Sequence, residues 1–149
     1  MAEALPARER VMRALLAQLS AALAPAGVER NRRTDMTAEE SPCLVLWDGP
    51  QTADATEAAG EIAYSMDLVC VGTVTAADDA SLGSAISDFY ARTVEAIVAD
   101  RTLSDTATDV LETSLDVRVA TINESSEPLG FFDLLLSITF RTPADDPYG

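Results

Sequence analysis

The alternation of apolar and polar positions is clearest toward the carboxyl end of the chain. Across residues 131–142, Phe132, Leu134, Leu136, Ile138 and Phe140 fall on one side and Asp133, Ser137, Thr139 and Arg141 on the other, which predicts a strand with one dry face. Leu135 sits among the polar set. Pro143 ends the run, because proline has no N–H for a ladder and holds its predecessor extended. A second run puts Ile62, Tyr64, Met66, Leu68, Cys70 and Val74 on one face and Ser65, Asp67, Thr73 and Thr75 on the other, and it is the expected partner of the terminal strand. Val69 and Val71 make its second face partly apolar, so another subunit rather than water is a candidate cover for that face. A third strand is expected from Val110 through Val117, Val119 and Thr121 to Asn123, with Pro128 and Gly130 punctuating a hairpin return.

Helical spacing appears twice. Val11, Leu15, Leu19 and Leu23 recur every fourth residue with Met12 and Leu16 beside them, starting near Pro6 and ending at Pro25 and Gly27. Glu9 precedes Arg13 by four, the favourable order for a helical ion pair. Asp78 and Asp79 are N-cap candidates for a helix over about 80–99, whose buried stripe would be Leu82, Ile86, Phe89, Tyr90, Val94 and Ile97. Between the helices, 28–33 reads as a short strand running into a polar segment, and the apolar run 42–47 as a strand halted by Asp48, Gly49 and Pro50. Together these elements predict one α+β domain over residues 1–149, two-layered, with a mostly antiparallel sheet and two main helices packed on one face. Mobile loops are expected at 34–41 and 48–60 and a flexible tail at 143–149.

Composition narrows the chemistry. Aromatics are only 5% of the 149 residues, so the core must be built from aliphatic side chains. The net charge of −15 is unevenly spread: six of the ten cations, all arginine, lie in the first 33 residues against three of the 25 acids, leaving that segment near +3 and the rest near −18. An acidic surface repels phosphate backbones, which disfavours nucleic-acid binding and otherwise serves solubility. With no histidine, the commonest general base and metal ligand are gone. Cys43 and Cys70 lie in apolar runs and read as buried, inert thiols. The acid pairs at 39–40, 78–79 and 145–146 lack the spacing of a calcium loop, and no phosphate loop, nucleophile elbow or dinucleotide fingerprint occurs. The expectation is a protein that is not an enzyme and that uses no metal or cofactor. The first helix faintly resembles a secretory leader, but Glu3, Glu9, Gln18 and Ser20 interrupt the pattern, and no apolar run is long enough for a membrane span.

Taken in order, the first helix, RNRR at 30–33, PCLVLWDG at 42–49, a long strand, the second helix, DRTL at 100–103 and a last strand closing on FRT before DDPY at 145–148 resemble the tail terminator, or tail completion, proteins of long-tailed phages and related gene transfer agents. The resemblance covers nearly the whole chain in outline. It implies a structural virion protein, made in the host cytoplasm and located at the neck end of the tail. Such a subunit forms a hexameric ring that caps the tail tube, ends its polymerisation and offers a surface for head-tail joining. The implied partners are further copies of the chain, the tail tube protein and a head-completion or connector protein, with DNA passing through unbound and no membrane involved. Arg30, Asn31, Arg32 and Arg33 match the polar segment after the family's first helix and are candidate contact residues; solvated edge charge is the alternative. Asp48 and Gly49 head a loop that would order on the tube. Asp133, Leu135 and Arg141 on the open side of the terminal strand, with Tyr148, complete the candidate interface. Another neck or connector protein, or a two-layer enzyme or ligand-binding protein, are the alternatives.

Overall fold

The structure, a computed structural model, describes residues 3–34, 38–54, 60–119 and 128–149. Strands β1 (Gly27–Arg30), β2 (Cys43–Asp54), β3 (Glu61–Thr75), β4 (Asp109–Val119) and β5 (Leu129–Pro143) form one sheet in the order β1-β2-β3-β5-β4. β1 runs parallel to β2 and every other pairing is antiparallel. Helices α1 (Ala7–Leu23) and α2 (Asp79–Val98) share a single core with one face of this sheet, giving the expected α+β layers. The predicted partnership of the two longest strands holds over their whole length, from Glu61 opposite Pro143 to Thr75 opposite Leu129.

Strict periodicity is what makes this core. All five even-numbered apolar residues of β5 from Phe132 to Phe140 are buried, and so are Val11, Leu15, Leu19 and Leu23 of α1. In α2, Leu82, Ile86, Phe89 and Ile97 are buried as the spacing predicts, while Tyr90 and Val94 are half-buried on the flank of the stripe. Thr93 joins the buried set because its hydroxyl donates back to the Phe89 carbonyl at 2.8 Å, which satisfies that hydroxyl.

The two ends of α2 are finished by different side chains. Asp78 has extended backbone, and its carboxylate accepts the Ser81 N–H and the Ser81 hydroxyl, each at 2.8 Å, which holds its pKa below the ordinary range. Asp78→Ala should lower the urea midpoint followed by far-UV circular dichroism, and Asp78→Asn should keep most of it, since asparagine caps equally well. Equal midpoints for all three proteins would contradict the capping role. At its other end, α2 has no basic residue in its last turn; instead Gln18 Nε2 of α1 donates to the carbonyls of Ala96, Ile97 and Asp100 at 2.8, 3.1 and 3.1 Å.

Several expectations change. β2 is not halted at Asp48, Gly49 and Pro50: it continues to Asp54 through a register shift between Asp48 and Gln51, a bulge that absorbs the proline. Gly49 is needed there, because a Cβ would lie 2.2 Å from the Asp67 carbonyl oxygen. The expected loop 48–60 is therefore strand at least to 54, and 55–59 lie outside the described residues. In the other expected loop, 34–41, residues 35–37 also lie outside them, Ala38–Glu40 form a 3-10 turn, and the Ser41 hydroxyl accepts the Thr75 N–H at 2.8 Å. β1 is shorter than 28–33, since Asn31 turns to φ +50 and ends it. β4 starts at Asp109, and Thr121, Asn123 and the connection 124–127 lie outside the described residues. The tail expected to be flexible at 143–149 is instead tied down: the Ala7 N–H bonds to the Pro147 carbonyl at 2.8 Å, and Arg10 donates to the carbonyls of Tyr148 and Gly149 at 2.7 and 2.6 Å.

Candidate assembly interface

The arginine-rich segment is largely spent within the chain. Arg30 leaves β1 on the helix side and makes a two-pronged contact with Asp48, at 2.8 and 2.6 Å, while its other nitrogen reaches both carboxylate oxygens of Glu9 at 3.1 and 3.0 Å. Asn31 adds two bonds to Asp48, donating from its side chain and accepting the Asp48 N–H, both at 3.1 Å. Arg8 of α1 donates to the Gly49 carbonyl at 2.6 Å and to Gln51 at 3.2 Å. Arg13 takes up Glu9 at 2.9 Å, the predicted helical pair. The fold thus brings Arg30, Asn31, Asp48 and Gly49 together, yet into a lock between α1, β1 and the β2 bulge. Arg13's hydrogen bond, seconded by Arg30's, holds the Glu9 carboxyl below its usual range, and Arg30's bond does the same for Asp48.

Arg32 is committed as well. It contacts Glu29 at 2.8 Å, Glu40 closely, and the Thr34 carbonyl at 2.9 Å, and its pKa is raised by the hydrogen bonds to Glu40 and then Glu29. Arg33 is the member of the segment that is exposed and has no ion-pair or hydrogen-bond partner among the described residues. The charge excess legible in the first 33 residues is therefore offset locally, which removes most of the basis for an acid-seeking surface there. Solvated and paired edge charge, the alternative, describes Arg30 and Arg32 better.

The other predicted contacts lie on the helix-free face of the sheet. In register across this face run Val45, Val71 and Asp133, then Trp47, Val69 and Leu135, with Phe131 beside Thr73. Trp47 is 40% exposed while Val69, Val71, Phe131 and Leu135 are half-buried, so an apolar band crosses β2, β3 and β5 with no helix over it. Asp133 and Leu135 belong to this band's margin, and Arg118 of β4 sits over the Phe131 ring at 5.2 Å while donating to Asp133 at 2.8 Å. Arg141 lies further along the same face, 3.9 Å from Glu61, in a stretch that also holds Asp67, Asp109, Ser65 and Ser137. Tyr148 is away from this surface, 52% exposed beside Arg10. The sequence signal for the band existed in Val69 and Val71; the contributions of Val45 and Trp47 were hidden because their own strand was uniformly apolar and declared no face.

Among the described residues, no group of three or more acids or cysteines is placed to hold a metal. Among the same residues no helix is long and apolar enough to cross a membrane. Cys70 is wholly buried, which pushes its thiol up to about 12, and burial also raises Cys43, so both match the inert thiols expected. No protein-family model matches the chain and no curated protein matches it. Among solved structures the chain is similar to one in the virion of a native gene transfer agent particle, at 17% identity and a TM-score of 0.41, covering 92% of each chain. A likeness this loose carries no functional argument.

Proposed function

We propose that the chain is a structural ring subunit of a phage-like particle, a tail terminator that caps the tail tube, ends its growth and gives the head-completion protein its seat. The observation that carries this reading is the helix-free sheet face, where Trp47, Val69, Val71, Phe131 and Leu135 form an apolar band that is not fully covered within the chain. A monomer that met only water would gain by covering or polarising such a band. A ring gives every subunit a neighbour to cover it, because a head-to-tail contact repeated around an axis closes when the rotation divides the circle. The sequence resemblance to tail terminators supplies the six-fold ring, the tube beneath it and the neck above it. The acidic remainder of the surface suits a passage for DNA, since it repels phosphate and needs no specific contact.

Purified protein should form rings in negative stain, and adding them to polymerising tail tube protein should stop tube growth. Trp47→Glu with Val69→Glu should abolish rings while leaving the circular dichroism spectrum unchanged, because both side chains already reach solvent. Rings that leave tube length unaltered would reassign the chain to a neighbouring neck or connector role, and a monomer under all conditions would overturn the ring itself.

A further inference from the structure

The two edges of the sheet are unlike. At one end β1 is only four residues long, and beyond it β2 carries Pro50 and a bulge, all features that blunt a strand edge against pairing. At the other end β4 runs for eleven residues without proline, and its outer side pairs with no strand among the described residues. After a bulge between Glu112 and Ser114, its register against β5 is regular from Ser114 to Val119. Leu115, Val117 and Val119 lie opposite Leu134, Phe132 and Gly130, on the helix side, yet are 36%, 55% and 57% exposed. The helical layer stops short of them: Gly83 and Ser87, seven and three positions before Tyr90, share its flank of α2, and a Cβ on Gly83 would meet nothing within 4 Å.

The opposite side of the same strand carries an uncompensated charge. Asp116 lies directly across from Asp133, a like-charge cross-strand pair, and Arg118 satisfies Asp133 at 2.8 Å. Asp116 is exposed and has no partner among the described residues.

We propose that β4 is the contact through which two copies of this chain pair, antiparallel and edge to edge, about a two-fold axis at Val117. In that register Val117 faces its own counterpart, Leu115 faces Val119 of the second copy, and Arg118 faces Asp116 of the second copy. Every apolar residue of the strip then meets an apolar residue, and each unpartnered Asp116 gains an arginine, twice over by symmetry. Shifting the axis to residue 116 would instead set Asp116 against itself, so charge disfavours that neighbouring register. The contact goes beyond the ring reading: a two-fold pairing closes after two copies and leaves the helix-free face available for a separate, head-to-tail contact.

The test is light scattering on the size-excluded full-length chain across nanomolar to micromolar concentrations, as wild type and with the ring contact removed by Trp47→Glu and Val69→Glu, the dimer being read in the second background. The expected species is a dimer whose dissociation constant rises about tenfold in Asp116→Arg and in Arg118→Asp, the effect of losing two symmetry-related charge pairs. The double variant D116R/R118D should restore it, because the guanidinium now at position 116 would face both Asp133 of its own chain and the carboxylate now at position 118 of the second copy. Val117→Lys should give monomers with an unchanged circular dichroism spectrum. A wild type that stays monomeric at tens of micromolar, a dimer indifferent to the single changes, or a double variant no better than the singles would overturn the pairing. An oligomer abolished by Trp47→Glu but untouched by the β4 changes would do the same while leaving the ring reading intact.

Discussion

Phe132→Ala should lower the free energy of unfolding by about 3–5 kcal/mol, the cost of removing a fully buried aromatic ring and leaving a cavity. Phe132 is 0% exposed at the centre of the sheet, edge-on to Phe89 and Tyr90 of α2 at 5.6 and 6.1 Å. Its ring also occupies the space above Gly72 on the neighbouring strand, where a Cβ would come within 2.2 Å of it. Gly72→Ala should therefore be destabilising in the wild type and nearly harmless once Phe132 is alanine, with a coupling of about 1–3 kcal/mol in the double-mutant cycle. Urea denaturation of the four proteins measures it. Simple additivity would mean that the ring moves aside at little cost and that the glycine is not what seats it.

Arg30→Met should cost about 1–2 kcal/mol at neutral pH, less than for a fully buried pair because the charged side chains retain some solvent. Their side-chain exposures are 22% for Arg30, 24% for Asp48 and 29% for Glu9, so the substitution removes a cation from two partly buried acids, with Glu9 keeping Arg13 and Asp48 keeping Asn31. Both carboxyls have lowered pKa values in the folded chain. Groups lowered on folding add stability that is complete above their unfolded pKa of about 4 and that fades as pH falls through the lower folded values. The gap in urea midpoint between wild type and Arg30→Met should accordingly be widest near neutrality and narrow as the pH drops below about 4. A gap of constant size down to strongly acidic pH would show that Arg30 stabilises by packing its stem and not by its charge.

The elements legible in the sequence are those with one wet and one dry side. β3, β5 and both helices bury a single face, so their period is written into the side chains, and even the partnership of β3 with β5 could be read. The far half of β2 escapes that logic. β2 from Gln51 to Asp54 is exposed on both faces at the margin of the sheet, and its run of polar and small residues has no alternation to show. β4, equally exposed, still alternates Leu115, Val117 and Val119 with Asp116 and Arg118 and is legible as a strand. The intramolecular partners of the arginine segment were hidden for a different reason. Counting charges locates cations, but their partners lie far along the chain: Glu9 is 21 residues from Arg30 and Asp48 is 18, brought close only when β1 pairs with β2 beneath α1. The apolar band on the open face was half legible, in Val69, Val71 and Leu135, and its extension to Trp47 depended on knowing which strand lay beside β3.

The three bonds from Gln18 to the end of α2 bear on the order of folding. The acceptors lie 78 to 82 residues further along the chain, and while the Asp100 carbonyl also takes the local Leu103 N–H at 3.2 Å, those of Ala96 and Ile97 wait for α1. They are met only after the β2–β3 hairpin, which lies between the helices in the chain, has laid α1 alongside α2. Closing so long a loop is entropically slow, and its reward arrives only at the end. α2 should thus begin at its Asp78 cap and complete its far turn last, which makes that turn a gauge of whether the helical layer has docked at all.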